Sequence, residues 1–261
     1  MGGSMSIIVP GIYVGGISSA KSEAQLDENR ITHICSALHY PLTVDQGRIH
    51  KQFLVRDSPD EDLSKHFLTA AEFIHSGRVS NGSVLVHCAC GISRSVSFVI
   101  AYLLCITDFS LSDLYKALRA ARVGACPNTG FLRQLQHFEK TEAHKQGRKF
   151  LIAQFGEWPP ERAALDSQEI NRLIAIQDEF IRTGYYPGDV RPPESRNDAT
   201  VDAGGDAGNS STDSPQPKPT SFFCRLRDTQ RTLEEALSDS RKRENTEDFE
   251  TLDSADAPSS S

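Results

Sequence analysis

The sequence predicts an α/β domain followed by a low-complexity extension, and three observations carry this. Short strand-like segments alternate with helix-like ones as far as residue 87. A run of helical patterns follows to about residue 140. Beyond Pro187 the chain is rich in Gly, Ser, Pro, Asp and Thr and has few large apolar residues, a composition too poor in apolar surface to offset chain entropy, so a disordered tail is expected.

The elements follow in order. Gly11 to Gly15 reads as a strand, Ser19 to Asn29 as a surface helix, and Ile31–Cys35 and Lys51–Val55 as two more strands. Leu63, Phe67, Ala70, Ala71 and Ile74 recur at helical spacing, which predicts an amphipathic helix over 62–77. Ser83–His87 is a compact apolar strand suited to the centre of a sheet. Residues 93–107 are apolar around most of a helical circumference and read as a buried helix. Ser110, with Asp113 three residues on, resembles a capping box for a helix carrying Leu114, Leu118 and Ala121. Pro127-Asn128 ends that pattern, and a last domain helix starts near Thr129 with Phe131, Leu132, Leu135 and Phe138 on one face. Asp166 and Glu169 read as caps of one further helix with Ile170, Leu173, Ile174 and Ile181 as its apolar face. The expected divisions are 1–4, 5–158, a helical extension over 159–186, and an acidic tail over 187–261.

Charge is unevenly divided. Residues 1–158 carry 16 Lys and Arg against 14 Asp and Glu, whereas 159–261 carry 12 against 21. The net charge of −7 therefore belongs to the extension and does not argue against a phosphorylated partner. The six cysteines form no pair of CxxC motifs, so no zinc site is expected. No secretory leader and no run of about 20 apolar residues is apparent, which points to a reducing, cytoplasmic setting with free thiols.

The chemistry sits in residues 84–95, VLVHCACGISRS. A strand runs into a loop and the loop opens a helix, so loop amides can converge on an anion at the positive end of that helix. A thiol there is stabilised as thiolate, with values of roughly 3.5–7.5 in comparable settings. That makes Cys88 the candidate nucleophile. Arg94 offers two donors to phosphate oxygens, Gly91 permits the turn, and Ser95 can donate to the sulfur as it leaves. The amides of Ala89, Cys90, Gly91, Ile92, Ser93 and Arg94 form the phosphate cradle in this reading. Cys105, inside the apolar helix, reads as structural. A general acid is also needed. Asp57 follows a strand and precedes Cys88 by 31 residues; Asp60 and Asp62 are its rivals, with Asp62 better suited to starting the next helix.

His87-Cys88-x5-Arg94-Ser95 resembles the phosphate-loop motif of the protein tyrosine and dual-specificity phosphatases. With Pro127-Asn128-Thr129-Gly130-Phe131, it is similar to the small atypical dual-specificity phosphatases over about residues 5–156. Asp57-Ser58-Pro59 and Phe155-Gly156-Glu157 resemble the N-myristoylated subgroup. The resemblance implies a central, mostly parallel sheet flanked by helices, a cysteinyl-phosphate intermediate and no metal or cofactor. It places the acid at Asp57, assigns Asn128 to bracing the phosphate loop (a turn or helix-cap role is the alternative), and implies phosphoprotein substrates carrying phosphotyrosine or phosphoserine/threonine, with mitogen-activated kinase cascades as their expected setting. His87 is expected to tune the thiol without touching substrate.

Ala89, Cys90 and Ile92 add no positive charge to the loop, which disfavours a lipid phosphate. No basic and aromatic surface for nucleic acid is evident. A non-catalytic phospho-binding module would be expected to lack the thiol, the arginine or the acid. Cys90 is either a small residue that fits the loop or a thiol that traps oxidised Cys88; Cys35 and Cys126 are other resolving candidates. Met1 to Ser6 matches the myristoylation pattern with Gly2 as acceptor, unless Met5 starts the natural chain behind a Gly-Gly-Ser linker. A single acyl chain binds membrane marginally, and Phe222-Phe223-Cys224 is either a second anchor or an isolated apolar island. Acylation would give peripheral association with the inner face of the plasma membrane.

Overall fold

The computed structural model describes residues 3–43 and 47–189. Gly2, expected to be the acyl acceptor, the tail and its Phe222–Cys224 segment lie outside the described residues. Five strands, β1 (Ser6–Val9), β2 (Ile12–Gly15), β3 (Ile31–Leu38), β4 (Ile49–Leu54) and β5 (Ser83–His87), form one sheet in the order β1-β2-β5-β3-β4. β1 runs antiparallel to β2 and the remaining pairs are parallel. The mostly parallel sheet flanked by helices is the fold the sequence led us to expect. β5 is the middle strand and Val84 to His87 are fully buried, which accounts for its apolar run.

Alternate residues of the sheet serve opposite faces. Ile34 and Leu85 pack under α1 (Ile17–Ala20) and α2 (Glu23–Glu28) through Ala20 and Leu26. His33 and Val84 face α3 (Phe67–Val79), which comes so close that a Cβ on Gly77 would lie 2.6 Å from Val84 and 2.9 Å from His33. The expected helix over 19–29 is in fact two, because Ser22 leaves helical geometry to cap α2. The helix expected from residue 62 begins as a 3-10 turn, Ser64–His66, before α3. Asp62 caps that turn, accepting from the Ser64 hydroxyl at 2.6 Å and the Lys65 amide at 3.4 Å.

α4 (Arg94–Ile106) is buried from Arg94 to Cys105, as its all-round apolarity requires. α5 (Leu111–Ala121) is capped by Ser110, α6 (Thr129–Lys140) by Asn128, and α7 (Ala143–Phe155) follows. β1 and α7 have no counterpart among the expected elements. β1 is four residues long with only Ile8 and Val9 buried, and α7 buries only Gly147 and Leu151, so neither has a strong periodic signature.

α8 (Pro160–Thr183) corrects the expectation for the extension. It starts at Pro160, and Asp166 and Glu169 lie inside it rather than capping it. Its buried stripe is Asp166, Ile170, Leu173 and Gln177, while Ile181 is exposed. α8 packs along α5, with Lys116 and Asp178 paired at 2.9 Å, and also touches β1. A polar stripe is buried because Asp166 meets Arg78 of α3 at 2.6 Å.

Candidate active site

Residues 88–93 form the loop between β5 and α4, and every carbonyl in it is held from outside. His87 Nδ1 donates to the Cys88 carbonyl at 3.2 Å. The Ile17 amide, at the start of α1, donates to Ala89 O at 3.1 Å. Arg122 donates from Nη2 to Cys90 O at 3.0 Å and from Nε to Gly91 O at 2.6 Å. The Cys126 amide takes Ile92 O, and the Ser97 amide and hydroxyl take Ser93 O, all at 2.9 Å. A trans peptide sets N–H opposite C=O, so this outward row turns the amides of residues 89–94 inward. The Gly91 amide accordingly reaches Cys88 Sγ at 3.2 Å. Gly91 sits at φ +70°, and a Cβ there would lie 2.4 Å from Gly15 O, so only glycine closes this turn.

Cys88 is 1% exposed at the floor of the loop. Burial pushes its thiol up, but the Ser95 hydroxyl, the amides of Ser95 and Ile92, and the Arg94 charge outweigh burial. The thiol lies below its ordinary value. The Ser95 Oγ contact is 3.4 Å. Cys35 and Cys105 show the contrast: buried without such donors, each is pushed up to about 12. That disfavours Cys35 as a resolving thiol. Cys90 is exposed and free, and Cys126 is half-buried and free.

Three segments meet at the mouth. Arg94 is buried, with Nη1 donating to Val55 O at 3.2 Å and Nε 3.5 Å from Asp57 Oδ2. Asp57 Oδ1 accepts from the Ser93 hydroxyl at 2.7 Å and from Asn128 Nδ2 at 2.9 Å. Of the three candidate acids, only Asp57 touches the loop; Asp62 is spent on its turn and Asp60 makes only a 3.5 Å contact, amide to Ser58 Oγ. Asn128 makes contacts of both kinds considered for it. Its Oδ1 caps α6 through the Phe131 amide at 3.0 Å, and its own amide donates to Ser93 Oγ at 3.1 Å. Gln134 fixes the Asp57 segment further, its Oε1 accepting from Leu63 and Ser64 amides at 2.8 and 2.9 Å and its Nε2 donating to Glu61 O at 2.8 Å. Gly130 lets α6 abut Pro59, where a Cβ would fall 2.0 Å from its carbonyl.

His87 is buried and neutral. Burial, with His50 and Arg94 adding to it and the Cys88 carbonyl opposing, pushes it down to about 4. A carbonyl only accepts, so Nδ1 carries the proton and Nε2 accepts from Ser36 Oγ at 2.6 Å; Ser36 in turn accepts from His50 Nε2 at 2.8 Å. Arg122, Ser36, His50 and Gln134 were not legible in the sequence. Each stands tens of residues from the loop or segment it supports, or works through backbone carbonyls, and carries no local signal.

A thiol held below its ordinary pKa under a ring of inward amides, with a buried arginine and a carboxylate at the rim, defines a cysteine-dependent phosphatase. The chain belongs to the atypical dual-specificity protein phosphatases of the protein tyrosine phosphatase superfamily. Residues 12–141 match the family model described as the dual specificity phosphatase catalytic domain. Human dual specificity protein phosphatase 22 is 41% identical over 175 residues, 67% of this chain and 92% of that protein. Mouse dual specificity protein phosphatase 15 is 37% identical over 176 residues, 67% and 73% of the two chains. A crystal structure of DUSP15 superimposes with a TM-score of 0.58 at 37% identity, covering 60% of this chain and all of that one. The human tyrosine phosphatase-like serine/threonine/tyrosine-interacting protein is also similar, with a TM-score of 0.51 at 31% identity over 53% of this chain and 97% of that one. That protein is named as an interacting protein, so the fold alone does not assign catalysis and the site must.

Proposed function

We propose that this enzyme hydrolyses phosphotyrosine and phosphoserine/threonine in proteins with Cys88 as nucleophile, Arg94 and the loop amides as the phosphate cradle, and Asp57 as general acid. The observation that carries the reading is the row of outward-held carbonyls around a depressed thiol. The thiolate attacks phosphorus; the S–P bond forms as the P–O bond to the side chain breaks. Asp57 gives its proton to the departing oxygen. Oδ1 already accepts two hydrogen bonds, which leaves Oδ2, beside Arg94, to carry it. Water then attacks phosphorus, Asp57 takes its proton, and the S–P bond breaks with Ser95 donating to the sulfur. Substrates in mitogen-activated kinase cascades are what the subgroup resemblance points to, and capture of phosphoproteins by a Cys88→Ser variant would identify them.

Asp57→Asn tests the acid. It should lower kcat on phosphopeptides about 10²–10⁴-fold and lose less on an aryl phosphate whose leaving group needs no proton. An unchanged kcat on both would remove Asp57 from the mechanism and return Asp60 to consideration.

N-terminal acylation is a second reading, carried by the Gly2 to Ser6 pattern. The acyl chain would add peripheral membrane association to a cytoplasmic enzyme. Incorporation of a myristate analogue by the full chain in cells, lost in Gly2→Ala, is expected; no incorporation would end this reading.

A further inference from the structure

We infer that Arg122 is a positioning residue for this reaction, setting two peptide planes of the phosphate loop and through them the ionisation of Cys88. It resides just past α5, 34 residues from the nucleophile. Of the six loop carbonyls from Cys88 to Ser93, it alone holds two, Cys90 O and Gly91 O, through the adjacent Nε and Nη2 of one guanidinium edge. Those two peptides carry the N–H groups of Gly91 and Ile92. The first lies 3.2 Å from Cys88 Sγ, and the second is among the donors that hold the thiol low.

Gly91 makes the clamp necessary. At φ +70° it has the freest backbone in the loop, and a flip of either flanking plane would replace an inward N–H by an inward carbonyl. An oxygen aimed at a thiolate or at a phosphate reverses the electrostatics of the cradle. The opposite end of the guanidinium is anchored as well. Its Nη1 lies 3.2 Å from Ser4 O, 3.4 Å from Ser6 Oγ and 3.5 Å from Val14 O, so the fork is fixed before substrate arrives. The segment bearing Ser4 and Ser6 is tied down in turn by Gln25, which accepts from the Met5 amide at 3.1 Å and donates to Gly3 O at 2.5 Å. Lysine could not replace this arrangement, because a single ammonium on a flexible stem lacks the paired edge.

The inference rests on Cys88 being the reactive thiol, and its test reads that thiol directly. In the full chain, the pH dependence of Cys88 alkylation by iodoacetamide would be followed by peptide mass spectrometry for Arg122→Met and Arg122→Lys. Both variants should move the Cys88 profile upward by about one pH unit and weaken competitive inhibition by inorganic phosphate about tenfold. Lysine should recover little of either loss, although it keeps the charge. Arg122→Lys retains the stem and charge, so it serves if the methionine variant does not fold. A Cys88 profile and phosphate inhibition unchanged from the parent in a folded variant would overturn the role of Arg122. That result would leave the nucleophile assignment standing, since only an active Cys88→Ser enzyme removes it.

Discussion

Cys88→Ser is expected to lower turnover of a phosphotyrosine peptide by at least about 10⁴-fold, the scale on which a nucleophile acting with its neighbours is lost, while binding of the peptide survives. The reason is that nothing beside residue 88 can activate a hydroxyl. In triad enzymes a histidine takes the serine proton. Here the neighbouring His87 is fully committed, with Nδ1–H on the Cys88 carbonyl and Nε2 accepting from Ser36. The site works by stabilising an anion that a thiol forms readily and an alcohol does not. Four outward carbonyl clamps, on Ala89, Cys90, Gly91 and Ile92, come from Ile17, Arg122 and Cys126 and are independent of the sulfur, so the cradle for the phosphate remains. Steady-state kinetics should show the collapse, and titration calorimetry with the phosphopeptide should show affinity within a few-fold of the parent. A serine variant turning over within tenfold of the parent would place the nucleophile elsewhere.

What could be read in the sequence follows from locality. The loop from His87 to Ser95 is continuous in the chain, so the order strand, thiol, glycine, arginine, buried helix placed its parts correctly. Asp57 could be ranked above Asp60 and Asp62 only through position relative to a strand end and the resemblance; the contacts to Ser93 and Asn128 that single it out join segments 36 and 71 residues apart. The α/β class came from strand–helix alternation and the mostly parallel sheet from the resemblance, whereas β1 was missed because its burial comes from pairing with β2 and cover by α5 and α8. The error over Asp166 is of the same kind. A carboxylate between a proline-rich turn and an apolar helix is ordinarily a cap. Its partner, 88 residues earlier, has no sequence signature.

That partner makes Asp166→Ala the substitution with the largest expected cost in stability. Arg78 and Asp166 are each 1% exposed in their side chains and meet at 2.6 Å. Arg78 Nη2 also donates to Pro10 O at 2.9 Å and Nη1 to the Tyr102 hydroxyl at 3.2 Å, while Trp158 donates to Asp166 Oδ2 at 3.2 Å and stacks on Arg78 at 4.4 Å. His75 adds no charge to this cluster: burial, with Arg78 and Arg162 adding to it, pushes it down to about 4, so it is neutral where it meets Tyr102 at 3.0 Å. Tyr102, pushed up to about 12 chiefly by burial, is neutral too. Removing the carboxylate therefore strands a buried guanidinium among neutral groups, at a cost of about 3–5 kcal/mol. This is a large share of the roughly 5–15 kcal/mol that holds a domain together. Denaturant unfolding of the variant should show that loss, and Asp166→Leu combined with Arg78→Met should recover most of it, because replacing both charges removes the desolvation penalty along with the attraction. A loss below about 1 kcal/mol in the single variant would mean that water reaches Arg78 when the carboxylate is gone. In that event α8 would be a detachable cover rather than part of the core that keeps β1, α3 and α4 in register beneath the loop.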